Sequence, residues 1–312
     1  MAELRLDGRV AIVTGAAGGL GREYARLLAA RGARVVVNDY GGSVDGQGGS
    51  PEPSEQVAEE IRSAGGEAVA DWNSVVTPEG GVGIVETAFK HYGRIDAVVN
   101  NAGIVGGGGF ADSDDDMIDR TVATHLRGAF SVARPAWRAM AEQGRGRIVN
   151  ISSGSVFGTP GSASYPAAKA GMIGLTKSQA SEGAALGIKA NAVMPVAYTR
   201  MTAQITDDDF REFLEEHYQP VHVAPLVAWL CHDDVPCSGE VFTAGGGRVA
   251  RVFLGVTQGY STDDLTPEDL RDHWERVMDA EGCAMPGTAM EEVELYFRLK
   301  GWDRGRITMG ND

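Results

Sequence analysis

The sequence predicts an α/β fold: a doubly wound parallel sheet of seven strands with a C-terminal helical extension. Three observations carry that expectation. A short apolar run, Arg9-Val10-Ala11-Ile12-Val13, ends in a glycine-rich turn over residues 14–21. Behind the turn, Leu20, Tyr24, Leu27 and Leu28 recur at helical spacing. Once Gly32 has closed that helix, a second apolar run covers residues 34–38. Strand, turn, helix and strand in this order open a doubly wound sheet, because a right-handed crossover returns the chain beside its starting strand.

The later elements follow in order. Residues 41–54 are rich in Gly, Ser and Pro and read as a long surface loop before a helix at 55–64. Further strands fit residues 67–70, 97–100, 147–151, 188–193 and 240–243, with helical segments between them. The alternation ends near residue 247, so residues 1–250 are expected to form one domain. Residues 251–312 form an extension expected to pack on that domain or on a partner subunit. Thr266-Pro267-Glu268-Asp269 is a helix start there, with a capping hydroxyl, a first-turn proline and two acids on the positive end of the dipole. Leu270, Trp274, Val277 and Met278 give that helix an apolar stripe.

Composition narrows the function. The 312 residues are 43% apolar, enough for a sizeable core, and the glycines show no repeat period. Lys and Arg total 28 against 43 Asp and Glu, a net charge of −15, which leaves no basic surplus for nucleic acid phosphates. The charged N-terminus is unlike a signal peptide. There is no run of about 18 apolar residues to cross a membrane. Cys231, Cys237 and Cys283 are odd in number and lack metal-site spacing; Cys231-His232 reads as a metal pair or, more simply, as incidental thiol and imidazole. A reducing, cytoplasmic setting is expected. The acidic run 112–116 is read as a helix N-terminus rather than a metal site.

Chemistry concentrates in four places. In the turn, Gly15, Gly19 and Gly21 let the backbone approach a pyrophosphate, and the helix N-terminus behind them offers amide donors. Asp39, after the second strand, can accept hydrogen bonds from an adenosine ribose and would repel a 2′-phosphate. Ala16 and Ala17 add no cation to the turn, although Arg22 follows it, so NAD is expected over NADP. Asn100-Asn101-Ala102-Gly103 closes the fourth strand with amides that can bridge strand ends and small residues that make room for adenosine. Tyr165 and Lys169 lie four apart on one helix face. An ammonium there can lower the phenol from about 10 toward working pH, making Tyr165 the candidate acid/base. A serine after the 147–151 strand would hydrogen-bond the reacting oxygen.

Together TGAAGGLG at 14–21, Asp39, NNAG at 100–103, ISS at 151–153, YPAAK at 165–169 and SGEVFTAGGG at 238–247 resemble the short-chain dehydrogenase/reductase family, over roughly residues 5–250. That resemblance implies a Rossmann fold and an oxidoreductase. A narrower one, carried by VVVNDYGG at 35–42, THLRGAF at 124–130 and VAPLVAWLCH at 223–232, is to the dehydrogenase units of the type 2 peroxisomal multifunctional enzymes, also called 17β-hydroxysteroid dehydrogenase type 4. It implies NAD-dependent oxidation of (3R)-hydroxyacyl-CoA thioesters or steroid alcohols, here by a stand-alone dehydrogenase. The resemblance assigns Leu20 behind the pyrophosphate and Asn73 and Ser74 to the adenine edge. It assigns Val196 through Thr199 to further cofactor contacts, although Pro195-Val196 replaces the usual Pro-Gly. It also implies that Lys169 contacts the nicotinamide ribose. The family's helix asparagine, which holds a proton-relay water, falls on His125, as in the type 2 subgroup. Helices around 114–140, kinked at Pro135, and 166–184 match the family's dimer surface, so a homodimer or homotetramer is implied.

Two serines compete. The family's usual spacing back from Tyr165 selects Ser152, whereas counting along the strand from Arg147 selects Ser153. Strand register is harder to alter than loop length, which favours Ser153. The expected enzyme is an NAD-dependent secondary-alcohol dehydrogenase acting on an acyl-CoA or steroid, with no nucleic acid or membrane partner. Its rivals are an NADPH-dependent 3-ketoacyl reductase and a non-catalytic NAD-binding sensor. The substrate pocket is expected near residues 105–110, Phe157 and 198–213. Arg200, Arg248 and Arg251 are either contacts for a CoA phosphate or solvated surface charges.

Overall fold

A computed structural model describes residues 3–43, 46–105, 107–199, 202 and 207–301. The chain divides into two compact units, residues 1–251 and 252–312.

The first unit is built on one sheet. In chain order it contains β1 (Val10–Thr14), α1 (Gly19–Ala30), β2 (Arg34–Asn38), α2 (Glu52–Ser63), β3 (Glu67–Asp71), α3 (Pro78–Tyr92) and β4 (Ala97–Asn100). Then come α4 (Asp115–Val122), a π-helical turn at Ala123–Arg127, α5 (Gly128–Glu142), β5 (Gly146–Ile151), α6 (Ser164–Gly183) and β6 (Ile188–Pro195). The unit ends with α7 (Asp208–His217), α8 (Ala224–Cys231), β7 (Val241–Gly245) and β8 (Arg248–Val252). The strand order is β3-β2-β1-β4-β5-β6-β7-β8. β1 pairs parallel with both β2 and β4, aligning Ile12 with Val36 and with Val98.

The sheet has eight strands where seven are read from the sequence. Gly246 and Gly247 both take positive φ, +53° and +80°, the combination that turns a hairpin back on itself. β8 is the strand this turn returns.

Burial on both faces explains the uninterrupted apolar strands. Val35 and Val37 of β2 point to a layer with Tyr24 and Leu28 of α1, Val57 and Ile61 of α2, and Leu226 and Leu230 of α8. Val36 points the other way, to Ile84 of α3 and Val132, Ala136 and Met140 of α5. Each such fully buried aliphatic side chain contributes roughly 1.5–3 kcal/mol. Pro135 lies inside α5, and the helix continues across it.

At the N-terminal edge of the sheet, Asp96 is fully buried. It accepts from Val10 N at 2.9 Å, from Arg94 Nε and Nη2 at 2.8 and 2.7 Å, and from Arg145 Nη1 at 2.5 Å. Asp233, after α8, also pairs with Arg145 and with Arg9. The ligand-competent edge is the opposite one, where the carboxyl ends of β1 and β4 flank the point at which strand order reverses.

The second unit opens with a bridge between Val256 and Ala284. Thr266 and Asp269 form a reciprocal capping box at the start of α9 (Pro267–Asp272). The expected single helix is broken: α9 stops at His273 and α10 (Trp274–Met278) begins after it. The His273 ring stacks on Tyr260 at 4.1 Å, and its Nδ1 lies 2.9 Å from the Asp269 carbonyl oxygen. The stripe therefore does not bury: Trp274 and Met278 stay exposed. α11 (Ala289–Leu299) follows. No helix among the described residues is long and apolar enough to cross a membrane.

Candidate active site

β1 delivers the chain into the glycine turn with Gly15 at φ +65°, a conformation that L side chains rarely adopt. The turn is pinned from β4. Asn101 Nδ2 donates to the carbonyls of Thr14 and Gly15 at 2.9 and 3.0 Å. Thr14 Oγ1 accepts from Asn101 N and Ala102 N, both at 3.0 Å. A side chain at Gly21 would sit 2.1 Å from the Gly15 carbonyl oxygen, so the start of α1 must be bare to lie this close.

Asp39 is aimed by the backbone. Its two oxygens accept from Ala17 N at 2.9 Å and Gly41 N at 2.8 Å, which leaves lone pairs on each for a ligand. Arg22, the first cation after the turn in the chain, is held by Glu60 at 2.8 Å. Asp71 organises the neighbouring wall. It accepts from Asn38 Nδ2, from Asn73 N and Nδ2, and from Thr87 Oγ1, which fixes Asn73.

β5 carries the serine pair, and the two hydroxyls part company. Ser152 Oγ is buried and donates to the Lys169 carbonyl at 2.7 Å. Ser153 Oγ accepts from Ser155 N at 3.1 Å and hydrogen-bonds the Tyr165 side chain. Lys169 Nζ donates to the Ile151 carbonyl at 2.7 Å and lies 5.6 Å from the centre of the Tyr165 ring.

Electrostatics departs from the expectation that Lys169 lowers the phenol. Burial raises Tyr165 above its ordinary value, and the hydrogen bond from Ser153 is what offsets it. Lys169 is itself desolvated and lowered to about 7, so its charge is partial at neutral pH. His125, also buried, is held well below its ordinary value by desolvation and by the Lys169 charge.

A cavity of about 570 Å³ joins these groups, in the range of small-molecule sites. Gly15, Gly19, Leu20, Gly21, Asp39, Asn73, Ser74, Gly103, Ser153, Tyr165, Lys169 and Thr199 all line it. Asn100, Ala102, Val196 and Tyr198, all assigned to the cofactor, do not. Asn100 turns into the sheet, where Nδ2 donates to Asn150 Oδ1 at 2.8 Å. Ala102 lies beneath Gly15, and Val196 packs over Gly245. Asn101 of the strand-end motif also lines the cavity, as do Asn38, Tyr40 and Ser155, which no motif assigns to it. Neither Arg248 nor Arg251 lines the cavity, and Arg251 pairs with Glu240 at 2.7 Å, while residues 106, 200, 201 and 203–206 of the expected pocket and phosphate contacts lie outside the described residues. Phe110 and Phe157 are exposed and do not line it. The Cys231 thiol is pushed up to about 12 by burial, and among the described residues no group of three or more acids, histidines or cysteines could hold a metal.

A larger concavity of about 990 Å³ runs along α5 and α6, bordered by Phe130, Trp137 and Leu175, apart from Tyr165.

Comparison with known proteins places the chain in a family. The short chain dehydrogenase family model matches residues 9–209. Peroxisomal multifunctional enzyme type 2 of Mus musculus is 43% identical over 295 residues, covering 93% of this chain and 39% of the mouse protein. A short-chain type dehydrogenase/reductase of Mycobacterium tuberculosis is 42% identical over 281 residues, covering 89% of this chain and 97% of that protein. The full-length peroxisomal multifunctional enzyme type 2 of Drosophila melanogaster superposes with a TM-score of 0.79 at 33% identity, over 95% of this chain and 50% of that one. The chain thus spans half or less of the length of these multifunctional relatives.

Proposed function

This chain belongs to the short-chain dehydrogenase family and is a nicotinamide-dependent oxidoreductase, and on that premise we propose that it uses NAD to oxidise a secondary alcohol to a ketone. The preferred substrate is a (3R)-hydroxyacyl-CoA, with a 17β-hydroxysteroid or sterol side-chain intermediate as the alternative. Similarity to peroxisomal multifunctional enzymes and to hydratase-dehydrogenase-epimerases supports the acyl class.

One observation carries the reading: Ser153, Tyr165 and Lys169 converge in the same cavity as the glycine turn. The turn fits a dinucleotide. Gly15 is bent for close approach, the bare first turn of α1 presents amides, and Asp39 is oriented for a ribose diol. Asp39 opposes a 2′-phosphate, and Arg22, held by Glu60, does not offset that charge, which supports NAD over NADP.

A nicotinamide dinucleotide held by the Gly15–Gly21 turn and Asp39 would supply the hydride acceptor for the carbinol carbon. The chain handles the proton. Tyr165 Oη takes it from the substrate hydroxyl, and Ser153 donates to the same oxygen. One hydrogen of Lys169 Nζ is used on Ile151, leaving donors for a ribose hydroxyl. A partner there favours the ammonium form, and a charged Lys169 in turn favours the ionised phenol. Self-association into a dimer or tetramer along α5 and α6 completes this reading, and sedimentation velocity tests it.

Tyr165→Phe should lower turnover by about 10²–10⁴-fold while leaving the NADH dissociation constant within about threefold. Unchanged turnover would refute the assignment. A panel of 3-hydroxyacyl-CoAs and 17β-hydroxysteroids, each run with NAD and NADP, separates the substrate classes. It also tests the NADPH-dependent reductase. Absence of turnover throughout would favour a non-catalytic sensor.

A further inference from the structure

His125 stands where the loop after β4 meets Tyr165. The π-helical turn between α4 and α5 carries it inward, so that the side chain is 3% exposed. Its Nε2 lies 2.9 Å from the carbonyl oxygen of Ile104 and 3.2 Å from the amide nitrogen of the same residue. The ring meets Tyr165 edge-on, with centroids 5.0 Å apart and planes at 87°. The other face of the contact is Gly103. A Cβ there would stand 2.4 Å from His125 Cε1 and 2.9 Å from Nδ1, and the backbone at this glycine is one that any residue can adopt. The missing side chain is therefore a matter of space, and the imidazole fills that space. Nδ1 is buried with no hydrogen-bond partner among the described residues, which fits a ring retained for its shape and its Ile104 contact.

We propose that His125 is a positioning residue that locks the Gly103-Ile104 loop to the ring of Tyr165, and that residue 103 is glycine in order to admit the imidazole. The inference rests on the reading above, in which Tyr165 acts beside a dinucleotide bound against the loop after β4. The link is mechanical: one rigid ring touches the loop on one edge and the phenol on another, so a shift in either is felt by both.

A double-mutant cycle tests it, using Gly103→Ala, His125→Ala, their combination, and His125→Asn, whose amide can both donate to and accept from Ile104. NADH affinity by fluorescence titration, kcat, KM for the alcohol and thermal melting are read for each. Gly103→Ala should weaken NADH binding and lower kcat by about tenfold each, because the methyl group displaces the ring. In the His125→Ala background the same change should cost less than about twofold. His125→Ala alone should lower kcat by about tenfold with KM for the alcohol within about twofold, and His125→Asn should recover most of that loss. Equal effects of Gly103→Ala in both backgrounds would overturn the proposal, as would a His125→Ala enzyme that loses only thermal stability. Should Gly103→Ala fail to fold, a double variant that folds and binds NADH supports the lock, and one that also fails overturns it. NADH affinity needs no turnover, so a wild-type chain that binds NADH but oxidises nothing refutes the enzymatic reading while the cycle still reports on the lock.

Discussion

Lys169 is tethered to the strand that presents Ser153: its Nζ donates to the carbonyl of Ile151 at 2.7 Å, in a fully desolvated position. The amine is thus fixed before any ligand arrives, and its proton is held weakly.

That weak hold makes stability depend on pH in a definite direction. Lys169 titrates at about 7 in the fold, whereas an unfolded lysine titrates near 10.4. Below 7 both states carry the proton and the burial cost of the cation is present in full. Between the two values the unfolded chain binds the extra proton, so stability rises with pH by up to about 1.4 kcal/mol per unit. Urea titrations of wild type and Lys169→Met across this window should show the wild type gaining on the variant. Parallel curves would mean that Lys169 stays charged when buried.

The serines separate by the partners of their hydroxyls. Ser153→Ala removes the group that hydrogen-bonds Tyr165, and turnover should fall by about 10²–10³-fold with NADH binding retained. Ser152→Ala removes a buried hydrogen bond to the Lys169 carbonyl and should cost about 1 kcal/mol of stability, leaving turnover within a few fold. If only Ser152→Ala abolished turnover, the strand-register argument would fail.

These contrasts show what the sequence made legible. The doubly wound fold was readable because strands buried on both faces are apolar nearly throughout, as residues 10–13 of β1 are. The glycine turn, Asp39, Tyr165 and Lys169 were readable because their chemistry depends on spacing along the chain. β8 was not: its Arg-Val-Ala-Arg-Val run has no period-2 pattern and no buried residue, and it resembles a loop until the Gly246-Gly247 turn places it. The orientation of Asn100 was hidden because Asn150, on the adjacent strand, decides it. The break at His273 depends on a stacking partner, Tyr260, outside the helix. The packing of His125 on Gly103 was equally hidden, because a π-helical turn, which no spacing announces, sets the direction of the ring.

Asp39 should govern the choice of nicotinamide. Its charge faces the ribose position, and Arg22 is engaged by Glu60. Asp39→Asn removes the charge while keeping one acceptor for the Ala17 or Gly41 amide. The ratio of kcat/KM for NAD to that for NADP should fall by about tenfold or more, since like unit charges about 4 Å apart repel by about 4 kcal/mol at the effective dielectric of a protein surface and tenfold needs only about 1.4 kcal/mol. An unchanged ratio would show that another group sets the preference.

Asp96 separates stability from activity. It lies at the N-terminal edge of the sheet, at the opposite strand ends from the cavity, and its carboxylate gathers Arg94, Arg145 and the Val10 amide in a buried position. Removing it leaves Arg145, largely buried, with Asp233 as its remaining acid and strips Arg94 of its partner. Breaking a buried pair in this way costs about 3–5 kcal/mol, because the surviving charge stays desolvated. Asp96→Ala should therefore lower the urea midpoint sharply, whereas Asp233→Ala should cost less because that carboxylate is 38% exposed. Both variants should keep wild-type kcat/KM at temperatures where they are folded. A large loss of kcat/KM in folded Asp96→Ala would mean that the two edges of the sheet are coupled, contrary to the separation seen between this charge cluster and the Tyr165 cavity.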